Sequence, residues 1–191
     1  AGAVQAGDED DYFQSNLFVV ARRRVVWLAV LVLANGLTTQ VIAMNDEVLR
    51  KVVLLAAFIP LLIGAGGNVG AQSSTVVIRG LSTQRIQRLG LLRAILREAF
   101  AGALLGILMA LFVVPFAWWQ GQGPLVATAV GISLMAITTL AATAGAALPL
   151  FFDRMGLDPA LMSAPFITTA TDVAGVLIYL KTASWLLGRI A

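Results

Sequence analysis

The chain has no cysteine and no histidine among its 191 residues. Without thiols there is no disulfide framework and no thiolate metal site. Without imidazole it lacks both the commonest transition-metal ligand and the side chain that titrates near neutral pH. Charge is scarce too: 12% of residues are Asp, Glu, Lys or Arg, against roughly a quarter in a soluble domain. No nucleotide P-loop, histidine-containing triad or zinc-protease signature occurs. The run Gly64-Ala65-Gly66-Gly67-Asn68 has the glycines of a phosphate loop but not its lysine, and it lies inside an apolar stretch. With no catalytic arrangement, the chain does not read as an enzyme.

What is present is apolar material, at 59% of the chain. That is more than a water-soluble core needs, and the fold class it predicts is an all-α polytopic membrane domain. Five stretches are each long enough to cross a hydrocarbon core of about 30 Å at 1.5 Å per residue: residues 25–44, 52–78, 98–119, 125–152 and 161–187. Residues 1–24 precede them, with the acidic run Asp8-Glu9-Asp10-Asp11 and then Arg22-Arg23-Arg24. The start, Ala1-Gly2-Ala3-Val4, has no initiator Met and no signal-peptide pattern, so a missing N-terminal part is expected.

The basic residues flank the apolar stretches, which argues for membrane topology rather than nucleic acid despite a net charge of +3. A cytoplasmic N-terminus puts nine basic residues inside (Arg22, Arg23, Arg24, Arg79, Arg85, Arg88, Arg93, Arg97, Arg154) and four outside (Arg50, Lys51, Lys181, Arg189). This is the positive-inside orientation, in a cell or inner membrane, with the C-terminus extracellular or periplasmic. Trp118, Trp119 and Trp185 then fall near the outer boundary. The segment 80–97 is expected as a cytoplasmic surface helix, its leucines and Ile86 on the membrane and its arginines toward water and lipid phosphate. An odd number of spans and no internal repeat leave no two-fold within one chain. A symmetric pore therefore calls for a homodimer.

Asp172 stands near the middle of the uncharged stretch 161–180. A carboxylate at that depth costs roughly 2.5–3.5 kcal/mol on insertion scales and marks a wet pathway, a partner charge or an ion. Thr168, Asp172, Gly175 and Tyr179 are spaced four, three and four apart, as one helical stripe. Pro165 frees the carbonyl of Leu161 one turn earlier. The alternative role for Asp172 is a structural bond to a polar neighbour such as Asn68 or Gln72.

The second apolar stretch is the other unusual one. Gly64, Gly66, Gly67 and Gly70 weaken the helix by nearly 1 kcal/mol each relative to Ala, and Pro60 removes a further helical bond. Gly64, Asn68, Gln72 and Thr75 share a face that offers oxygens to a cation or its water shell. The same residues also fit helix packing, because Gly66 and Gly70 form a small-xxx-small pair. Beside Asp172, the pore-face reading is preferred. All these groups are oxygen donors, which hard cations favour, and Mg²⁺ gives up its waters reluctantly. Two copies of Asp172 about a two-fold axis suit a hydrated divalent ion; Ca²⁺, Mn²⁺ and Co²⁺ remain open.

Glu98 is expected as an acid at a helix N-terminus or as the partner of an arginine. Asp158 with Pro159 reads as a helix cap, or as a holder of a cytoplasmic ion. Asp46 and Glu47 are acids of an outer loop. Gly102, Gly106 and Gly145 read as packing residues.

From about residue 24 onward the sequence resembles the membrane domain of the MgtE magnesium channel/transporter family. The resemblance is carried by Pro60 through Ser73, by Leu157-Asp158-Pro159-Ala160, and by Pro165 through Asp172 with Gly175 and Tyr179. It implies a five-helix homodimer over residues 25–191 with its pore on the two-fold axis. It implies Asp172 as the central selectivity acid, main-chain oxygens near Thr168 and the Gly67-Asn68 region around the hydrated ion, and Asp158 at a cytoplasmic-side ion site. It also implies cytosolic Mg²⁺-sensing regulatory domains, absent from this chain, for which residues 1–24 are the following segment. Ala164, where some relatives place Asn, leaves only a main-chain oxygen. The two other readings are a proton- or Na⁺-coupled secondary carrier using Asp172, and a non-transporting membrane assembly subunit.

Overall fold

The computed structural model describes residues 17–45, 53–121 and 123–188. Among them there are six helices and no strand: α1 (Leu17–Met44), α2 (Leu54–Ser82), α3 (Arg85–Leu89), α4 (Leu91–Trp119), α5 (Pro124–Arg154) and α6 (Pro159–Leu187). Each of the five expected stretches corresponds to a helix. Three helices, α2, α4 and α5, are long and apolar enough to cross a membrane, and Leu31–Met44 of α1 is a shorter apolar segment. The acidic run at residues 8–11, the outer-loop pair Asp46 and Glu47, and Arg50, Lys51 and Arg189 lie outside the described residues.

The ends follow local chemistry. Pro124 and Pro159 occupy first-turn positions, where the missing N–H costs nothing. Asp158 caps α6, its Oδ1 accepting from the Ala160 N–H at 2.8 Å. Gly156, at φ +72°, closes α5 in the left-handed conformation that glycine adopts without strain.

The central helix is α5, which packs against α2, α4 and α6 and is buried over most of its length. Its contact with α4 rests on missing side chains. A Cβ on Gly102 would lie 2.6 Å from the Thr138 carbonyl oxygen, and one on Gly106 would lie 2.6 Å from Met135 Cα. Gly145 faces the backbone of Gly70, so α2 and α5 meet main chain to main chain. These are the close approaches by which helices associate in lipid, where van der Waals packing replaces the hydrophobic drive. Leu55, Leu62, Leu134, Ile137, Val176 and Tyr179 form the main core at one end of the bundle. Val77, Ile86, Ala146 and Leu150 form a second cluster at the other. α1 packs chiefly on α6.

One expectation is corrected here. Residues 80–97 are not a single surface helix. Gln84 (φ 55°) and Gly90 (φ 89°) break the chain on either side of α3, and residues from Leu91 run straight into α4. Ile86 is not on the membrane surface but buried in the second cluster.

Candidate functional site

Two elements carry the candidate site, and their register can be read from their contacts. The Thr171 methyl group lies where a Cβ on Gly66 would be, at 2.6 Å, and an Ile167 methyl stands in the same relation to Gly70. α2 and α6 therefore run antiparallel, with Gly66 opposite Thr171 and Gly70 opposite Ile167. Following that register, Asp172 comes level with Gly64 and Ala65, and Thr168 comes level with Asn68 and Val69. Asp172 is also about 20 Å along α6 from its N-terminal end, near mid-helix.

The glycines decide which way the polar groups can point. Gly66 and Gly70 are buried in the seam with α5 and α6. Gly64 and Gly67 have nothing within 4 Å of an added Cβ. On this open side lie Gly64, Asn68, Ala71, Gln72 and Thr75, all exposed, with Gly67 half-buried. From α6, Thr168 is exposed and Asp172 half-buried, level with this stretch of α2 by the register above. Thr168 Oγ1 donates to the Pro165 carbonyl at 3.0 Å, and Thr75 Oγ1 to the Ala71 carbonyl at 2.9 Å.

The exposed side of α4 has the opposite character: Phe100, Leu104, Leu108, Leu111 and Phe112 stand out from it. Such a surface suits lipid. A strip of glycine, alanine, amide and hydroxyl does not, because hydrocarbon solvates none of its polar atoms. The open side of α2 therefore calls for water or for another protein surface. Among the described residues no three acidic side chains gather as a metal-binding group. A cation at this strip would be met by the single carboxylate of Asp172 together with amide, hydroxyl and main-chain oxygens.

The structure divides the expected α6 stripe. Gly175 is buried, 3.6 Å from Ile137 when given a Cβ. Tyr179 is 0% exposed, and its hydroxyl donates to the Leu55 carbonyl at 3.1 Å. Both belong to the core of this chain rather than to its open side. Asp158 is exposed at the start of α6, fourteen residues and several turns from Asp172. Glu98 is half-buried as the eighth residue of α4, two turns beyond the helix start. Two residues had not been singled out. Ala71 lies on the open strip, one helical turn beyond Gly67 and so findable from spacing alone. Thr171 is 2% exposed with its hydroxyl unpartnered among the described residues; its place beside Asp172 was the only available signal.

A family model, MgtE, described as a divalent cation transporter, matches residues 59–182. Over 167 residues the chain is 41% identical to a protein from Thermus thermophilus named magnesium transporter MgtE, covering 87% of this chain and 37% of that one. It is 34% identical over 183 residues to a protein of the same name from Bacillus subtilis, covering 94% and 40%. A third, from Enterococcus faecalis, is 33% identical over 180 residues, again covering 94% and 40%. The chain thus spans 37% to 40% of the length of the curated relatives it matches.

Proposed function

Because the chain belongs to the MgtE family of divalent cation transporters, we propose that it conducts Mg²⁺ across the membrane as a homodimer. The pore lies on the two-fold axis between facing copies of α2 and α6, with α1, α2, α4, α5 and α6 as the five spans. The observation that carries this reading is the open strip of Gly64, Asn68, Ala71, Gln72 and Thr75 beside Asp172, in the middle of the apolar bundle. A second copy covers that strip and leaves a wet gap. The α4 face, with its phenylalanines and leucines, stays in lipid.

The chemistry follows from Mg²⁺ as substrate. The ion is small, demands octahedral oxygen coordination and dehydrates reluctantly. Two Asp172 carboxylates, one from each copy, supply negative charge matched to a divalent ion. The Asn68 amide and the main chain near Gly67 and Thr168 accept hydrogen bonds from the ion's water shell. Gln72 and Thr75 continue the polar lining toward the arginine-bearing end of the bundle. At that end Asp158 stands at the start of α6, where its carboxylate concentrates cations at the mouth. The basic ends of α2, α4 and α5 support a cytoplasmic position for this mouth.

The test is Mg²⁺ influx into liposomes holding the purified chain. Wild type takes up Mg²⁺ down its gradient and carries single-channel current at fixed pH. Asp172→Ala abolishes the flux while keeping the wild-type thermal transition. Strict dependence of uptake on a proton or Na⁺ gradient would replace the channel with a coupled carrier. Full flux in Asp172→Ala would remove Asp172 from the pathway.

A further inference from the structure

We propose that the elbow formed by α3 and the first two turns of α4 is a binding surface for the phosphate headgroups of anionic lipid. This rests on the chain being embedded in a bilayer and not on which ion it carries. The elbow is a built feature. Gln84 at φ 55° and Gly90 at φ 89° set its two bends. Ile86, 6% exposed, fastens it to the bundle, with its side chain 2.8 Å from where a Cβ on Gly80 would be.

With Ile86 turned inward, Arg85, Arg88 and Leu89 of α3 are exposed. Beyond Gly90, Ala94 turns inward, leaving Leu92, Arg93, Leu96 and Arg97 exposed. Among the described residues no carboxylate pairs with any of these four guanidinium groups. A soluble anion would engage the arginines and leave Leu92, 69% exposed, and Leu96, 48% exposed, in water. The bilayer interface answers both halves of the surface: acyl chains take the leucines, and phosphates take the positive charge of the arginines. Anionic rather than zwitterionic lipid follows from four like charges with no neutralising partner.

The full chain is placed in nanodiscs of phosphatidylcholine with a minor share of phosphatidylglycerol, and retained lipids are read by native mass spectrometry. Wild type retains phosphatidylglycerol in preference. Arg85→Gln, Arg88→Gln, Arg93→Gln and Arg97→Gln together lower that preference by at least about fivefold, the factor one surface guanidinium contributes. Lys181→Gln, at the opposite end of the bundle, leaves it unchanged, and the fourfold Arg→Lys variant retains it. Inorganic phosphate in excess does not displace the lipid. No preference in wild type, an undiminished preference in the fourfold Gln variant, or displacement by inorganic phosphate overturns the assignment. So does equal loss in the Lys and Gln variants, which would mark a purely structural effect.

Discussion

The two sides of α2 are built from the same small residues and do opposite things. On one side Gly66 and Gly70 are pressed against Thr171, Ile137, Ile167 and the backbone of Ala141, and Gly145 of α5 meets the backbone of Gly70. On the other side Gly64 and Gly67 face open space, with Asn68 and Gln72 exposed beside them. Glycine therefore has two uses within one helix. In the seam it lets main chains touch. On the open side it leaves the helix face bare beside exposed amides, which in the proposed pore would become the lining.

The sharpest way to break this comparison is to add one methyl group to each side. In Gly145→Ala the new Cβ runs into the Gly70 carbonyl, which is backbone and cannot rotate away. Forcing α2 and α5 apart is expected to cost about 3 kcal/mol, visible as a lowered thermal transition and reduced yield of folded protein in detergent. Gly64→Ala meets nothing. Its stability is expected to hold or to rise by up to about 1 kcal/mol, from better helix propensity. Equal destabilisation by the two substitutions would mean that the open side is packed after all, and the polar strip would lose its claim to be a passage.

Much of this arrangement was legible in the residues. The spacing of Gly64, Asn68, Gln72 and Thr75 placed them on one face, and the structure leaves all four exposed. Gly102, Gly106 and Gly145 read as packing residues, and each lies against a neighbouring helix. What spacing could not supply was the identity of the neighbour. Thr168 and Tyr179 share a stripe by helical geometry, yet one is exposed and the other is 0% exposed. The reason is tertiary: Ile137 of α5 lies against Gly175 and Leu55 of α2 takes the Tyr179 hydroxyl, so the far half of the stripe is covered. The segment 80–97 failed for a local reason. Its apolar pattern runs through Gly90, but φ 89° at that residue ends one helix and starts another.

The next substitution sharpens the functional half of the comparison. Asn68→Ala removes an exposed amide, so folding stability is expected to change by less than about 0.5 kcal/mol. If the amide holds the ion's water shell, the loss appears in selectivity: permeability to Ca²⁺ or Na⁺ relative to Mg²⁺ rises severalfold. Reversal potentials under bi-ionic conditions measure this directly. Unchanged ratios would move Asn68 from the ion to the dimer contact.

The smallest expected effect comes from the residue that shares Asp172's stripe but not its surroundings. Tyr179→Phe removes the hydroxyl that donates to the Leu55 carbonyl at 3.1 Å, a bond joining α6 to the first turn of α2 across 124 positions of sequence. That carbonyl also faces the helical N–H of Ile59, so it is not orphaned by the change, and the ring still fills its place among Leu55, Leu62 and Leu180. The loss is expected to be about 1 kcal/mol of stability, the net worth of one hydrogen bond. Ion selectivity is expected to stay at the wild-type value, because the phenol lies on the packed side. The informative failure is the reverse pattern. Altered permeability ratios with an unchanged thermal transition would show that Tyr179 reaches the ion in the working protein, which would require the C-terminal half of α6 to separate from the start of α2 during conduction.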